Sequence, residues 1–154
     1  MNQDKFTYKV IEALQSAVEL ARVQRNTELV PEHLLLSLAS QPETIFSSLI
    51  YSASSQNVIN SHLHETINSL PKSAAEVSSV DIQASKDFIR LVEAAENETK
   101  GLGDTHISTE HILLAAINLK LIDLDYDEIK AKIDEVRGGQ KVMDQSPENK
   151  MNVL

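Results

Sequence analysis

The sequence predicts an all-α fold, a pseudo-duplicated pair of four-helix repeats. Apolar residues recur at threes and fours along nearly the whole chain, which is the period of a helix with one buried face. The stretch EHLLLSLA at 32–39 returns as EHILLAAI at 110–117. Nothing in the chain demands a strand.

The first helix is expected from about Thr7 to about Arg25, with Phe6, Val10, Leu14, Ala17, Val18 and Ala21 along its apolar side. Thr7 is a candidate N-cap. Pro31 suits the first position of a second helix, because its φ is already helical and its missing N–H would have had no partner there. Ile45, Phe46, Leu49 and Ile50 mark a short third helix, and Val58, Ile59, Leu63, Ile67 and Leu70 a fourth. PKSAAEVSSV at 71–80 has no periodicity and reads as a linker between repeat one, about 1–70, and repeat two, about 81–137. The pattern then restarts with Phe88, Ile89, Val92 and Ala95. GLGD at 101–104 reads as a helix C-cap followed by a turn. The last helix begins at Asp125, whose spacing to Glu128 is that of a capping box, and carries Ile129, Ile133 and Val136.

Sliding the halves by seventy-eight positions aligns Val10 with Phe88, Leu14 with Val92, Asn26 with Asp104, Glu32 with Glu110 and His33 with His111. Each half alone has a marginal core, and stacking lets the two share one.

Composition narrows the function. The chain has 154 residues, 42% hydrophobic and 24% charged, with no cysteine and a net charge of −9. No disulfide framework is available, and a cytoplasmic setting fits. Sixteen acidic against nine basic residues lie from Glu76 onward. That balance argues against nucleic acid, whose binding needs cations to displace counterions, and against anionic membranes. No GxxxxGK[ST] loop, HExxH or GxSxG is present, so the chain is read as a non-enzyme with no cofactor or metal of its own. His62 and His64 project about 200° apart on a helix and cannot share an ion from one face. His33 and His111, near helix N-termini, are expected to be structural.

The repeated EHLLL and EHILL units resemble the amino-terminal domain of the Clp family of AAA+ unfoldases. The ending VRGGQKVMDQSPENKMNVL is similar to the stretch that joins this domain to the first ATPase module in ClpB-type disaggregases. The resemblance covers the whole chain and implies a double-repeat domain over 1–137, then a flexible linker, 138–154, extended or disordered without its ATPase module. One departure stands out: LKLIDLDYDEI is about eight residues short of the family pattern, so the seventh helix is expected to be truncated or a single turn.

The resemblance also implies a role. In this family the domain engages unfolded or aggregated polypeptide, or an adaptor protein, ahead of a hexameric ring that uses ATP and Mg. Carried over by motif, the contact residues are Thr7, Asp104 and Glu110, with Ala13, Leu91 and Ala94 on the bordering helices as apolar candidates. Each has a plainer reading: Thr7 as a cap, Asp104 as a turn residue, Glu110 as a first-turn acid favoured by the helix dipole. The isolated domain is expected to be a monomer. The alternative is a free-standing adaptor, or the adaptor-docking domain of a protease-coupled Clp unfoldase.

Overall fold

The computed structural model describes residues 3–147. Seven α-helices account for most of them: α1 Tyr8–Val23, α2 Pro31–Ala39, α3 Ile45–Ser52, α4 Gln56–Asn68, α5 Lys86–Leu102, α6 Thr109–Asn118 and α7 Tyr126–Arg137. Short 3-10 turns lie at Gln3–Lys5 and Ser79–Asp81.

Repeat one has its four helices, but repeat two has three. The expected shortened seventh helix is absent as a helix, because the chain leaves α6 through Lys120 at φ 61°. The N–H groups of Leu121 and Ile122 then turn back to the carbonyl of Ala116, at 2.9 and 3.4 Å. Ile122 still fills the core from this turn.

Two small parallel pairings, unexpected from sequence, lock the repeats together. β1 (Glu28–Leu29) pairs with β2 (Gln83–Ala84), and Phe6 forms an isolated bridge with Ile107. The two are copies of each other under the seventy-eight-residue shift. Ser85 donates its N–H to the Leu29 carbonyl and Thr7 donates its N–H to the Ile107 carbonyl, both at 3.0 Å. Each repeat therefore lends the segment before its first helix to the segment before the other repeat's EH helix.

The resulting core is continuous. Phe46, Leu34, Leu35 and Leu38 from repeat one join Phe88, Leu91, Ile112, Leu113, Leu114 and Ile133 from repeat two, all fully buried. Each such side chain contributes roughly 1.5–3 kcal/mol relative to exposure.

The segment after α7 is irregular, with bends at 144–145, and it is anchored: Val142 is fully buried, and its backbone is bonded on both sides. The rest of the expected linker, 148–154, lies outside the described residues.

Candidate functional site

The repeated EH motif builds the same local device twice. In repeat one the Val30 N–H, at the start of α2, donates to Nδ1 of His33 at 3.0 Å. An Nδ1 that accepts must be bare, so the proton sits on Nε2, which donates to Asn26 Oδ1 at 2.9 Å. Asn26 in turn donates to the Pro71 carbonyl at 3.3 Å. The ring is fully buried, and burial pushes the His33 pKa down to about 4. His33 is thus a neutral brace between the helix start and the preceding turn.

Repeat two keeps the brace and charges it. The Ser108 N–H donates to His111 Nδ1 at 2.8 Å, and His111 Nε2 donates to Asp104 Oδ2 at 2.7 Å. Arg137, from the last turn of α7, enters from the other side. Its Nη1 lies 2.8 Å from Asp104 Oδ2, and its Nε and Nη2 lie 2.9 and 2.8 Å from Glu110 Oε2. The second Asp104 oxygen accepts the Val142 N–H at 2.9 Å. Burial alone would raise the Asp104 pKa, but hydrogen bonds from His111, Val142 and Arg137 hold it below the ordinary carboxylate value. Burial works against the Arg137 charge too, yet Glu110 and Asp104 outweigh it and raise its pKa.

Thr7 lies nearby in the fold through its bond to Ile107. It occupies the N-cap position of α1, but its hydroxyl makes no capping bond and is buried without a partner. Its counterpart Ser85 does cap, accepting the Phe88 N–H at 3.1 Å. At the first position of α1 the Tyr8 N–H is taken by the Gln145 carbonyl at 2.7 Å.

The structure brings Asp104 and Glu110 together and buries them, with Thr7, Ala13 and Leu91; Ala94 is half-buried. The two carboxylates hold a basic group that comes from within the domain, the chain's own Arg137. Arg137, Val142 and Gln145 complete the site and were not expected there. A signal for Arg137 existed: it continues the Ile129 and Ile133 series at four-residue spacing.

Among the described residues no group of three or more His, Asp or Glu is arranged to hold a metal ion. No helix among them is long and apolar enough to cross a membrane.

Two interlocked helical repeats, each bracing its EH helix by a buried histidine, define an all-α double-repeat domain. The family model for the Clp repeat (R) N-terminal domain matches residues 5–144, and the chain belongs to that family. It is 31% identical over 158 residues to the chaperone protein ClpB of Bdellovibrio bacteriovorus, and 32% identical over 157 residues to that of Gloeobacter violaceus. Each match covers 96% of this chain, which spans only 18% of the relative's length. Among solved structures it matches the Hsp104 N-terminal domain of Candida albicans with a TM-score of 0.76 at 20% identity, covering 94% of this chain and 99% of that one. The N-terminal domain of the ClpV1 ATPase of E. coli matches with a TM-score of 0.70 at 22% identity, covering 89% and 88%.

Proposed function

We propose that this domain recruits unfolded or aggregated polypeptide for a ClpB-like disaggregase. The supporting observation is the match of 96% of the chain to the ClpB relatives, of which it covers 18%. ATP and Mg would be handled by ATPase modules outside this sequence, in a cytoplasmic hexamer. The domain itself is a monomer in this reading, and it carries the polypeptide to the ring.

The buried cluster has a positioning role here. Asp104, Glu110 and His111, pinned by Arg137, fix the loop that pairs with Phe6 and the start of α6. Contacts with a polypeptide would come from exposed apolar side chains adjoining these elements in sequence, among them Tyr8, 58% exposed, and Met143, 59% exposed. Net charge −9 favours cationic segments.

A backbone NMR titration of the chain with a reduced, permanently unfolded polypeptide tests this. Shift changes concentrated around Tyr8, Thr105 and Met143 are the expected result. An absence of shifts at high ligand excess would rule out direct recruitment. Sedimentation showing a stable oligomer would contradict the monomer.

A further inference from the structure

From the way residues 140–147 are held, we infer that they form a reversible strap. The strap occupies, with its own backbone, a binding site for an extended polypeptide segment bearing a branched aliphatic side chain. The inference rests on the polypeptide-recruiting role proposed above.

The strap is held as an extended ligand would be held. Val142 gives its N–H to Asp104 Oδ1 at 2.9 Å, and its carbonyl accepts the Thr105 N–H at 2.9 Å and the Thr105 hydroxyl at 3.2 Å. Three residues on, the Gln145 carbonyl accepts the Tyr8 N–H at 2.7 Å, and the Gln145 side chain donates to the Phe6 carbonyl at 3.1 Å. Val142 and Pro147 are buried, the Gln145 amide donates as above and Lys141 Nζ donates to the Leu102 carbonyl at 2.9 Å, while Met143 points largely to solvent, 59% exposed. Main-chain bonds supplemented by side-chain pockets are a mode by which extended peptides are taken.

The fold also holds what release requires. Gly138 and Gly139 sit at φ 58° and 90° immediately before the strap, with nothing within 4 Å of where a Cβ would stand. Glycine adopts such angles and leaves them at little cost, which makes this pair a hinge. Release would strip the Tyr8 N–H of its acceptor at the start of α1, where backbone donors need partners. The Tyr8 N–H would pass to water, and the Thr7 hydroxyl would serve the same turn at the Val10 N–H, as Ser85 serves that of Phe88. The Thr7 backbone, φ −69° and ψ 161°, nearly matches that of Ser85, φ −70° and ψ 163°, which does cap its helix. A side-chain rotation alone would turn the idle Thr7 hydroxyl into a cap. The docked strap caps α1 from outside, and the undocked state has its own cap in reserve.

The test uses the whole 154-residue chain. Native-state hydrogen exchange should show Tyr8 and Thr105 opening with the strap, well before the amides of α6. Exchange of both only together with global unfolding would overturn the proposal, and this measurement stands even if a variant fails to fold. In a Val142→Gly chain the two amides should lose protection. A synthetic peptide with the sequence of residues 139–147 should then restore it, at least about tenfold more tightly than in the unsubstituted chain, where the tethered strap competes at an effective concentration on the order of millimolar. The same peptide with Val→Asp should not. Deprotected amides that the peptide does not restore would also overturn it. Peptide binding without binding of a permanently unfolded polypeptide would uphold the strap and reject the recruiting role.

Discussion

Arg137 occupies in the second repeat the position that Ile67 occupies in the first. Counted from the N-caps Ser55 and Asp125, the buried series Ile59, Leu63, Ile67 becomes Ile129, Ile133, Arg137. The cation answers a second change, Asn26 to Asp104, and the buried Glu110. Removing one partner of a buried ion pair leaves an uncompensated charge, which costs about 3–5 kcal/mol. Arg137→Ile should therefore lower stability by that amount in urea unfolding. Adding Asp104→Asn and Glu110→Gln should recover at least half of the loss, since no buried charge then remains unpaired. Equal additive losses from the three changes would contradict this coupling.

Acid should find the domain through two groups. His33, with its pKa lowered to about 4, stays neutral in the folded chain while its unfolded counterpart protonates near 6.5. Its contribution is fully present above about pH 6.5 and falls towards pH 4, at up to about 1.4 kcal/mol per pH unit. Asp104 is also depressed, so its contribution is present above the unfolded carboxylate value of about 3.9 and is lost as pH falls below it. Urea midpoints from pH 7 to 3 check the slope, and NMR of the His33 ring should show no titration above pH 5.

The two helix starts should respond oppositely to the loss of a hydroxyl. Ser85→Ala removes a working cap and should cost about 1 kcal/mol. Thr7→Val removes a buried hydroxyl that has no partner, and should leave stability unchanged or raise it by about 1 kcal/mol. Paired thermal unfolding curves decide this. A larger loss from Thr7→Val than from Ser85→Ala would show that the Thr7 hydroxyl works in the docked state.

Two glycines of one helix end should also diverge. Gly101 lies within α5 with open space where a Cβ would be, so Gly101→Ala should stabilise by roughly 0.5–1 kcal/mol. Gly103 caps the same helix at φ 72°, so Gly103→Ala should destabilise by about 1 kcal/mol. Melting temperatures of the two variants moving in the same direction would refute the assignment.

The helices were legible because amphipathic periodicity and caps act locally. Pro31 does begin α2, Asp125 does accept the Glu128 N–H, at 2.9 Å, and Gly103 does end α5. Glu128 itself turns to Lys132, at 3.2 Å, rather than completing the capping box. The site was less legible because its decisive contacts are long-range. A basic residue in the last turn of a helix is favoured by the helix dipole anyway, which hid the burial of Arg137. Val142 and Met143 are a lone apolar pair among polar residues and glycines, so composition made their segment a linker. The LKLIDL stretch is short for the helix the resemblance implies there, and the left-handed Lys120 turns its leucines and isoleucine into core filling without one.

The loop 104–107 receives both ends of the described chain, Phe6 bridging to Ile107 and Val142 to Thr105. The segments around Phe6 and Val142 are thus fastened side by side. Load carried by either segment falls first on that corner, while the helices behind it keep their packing.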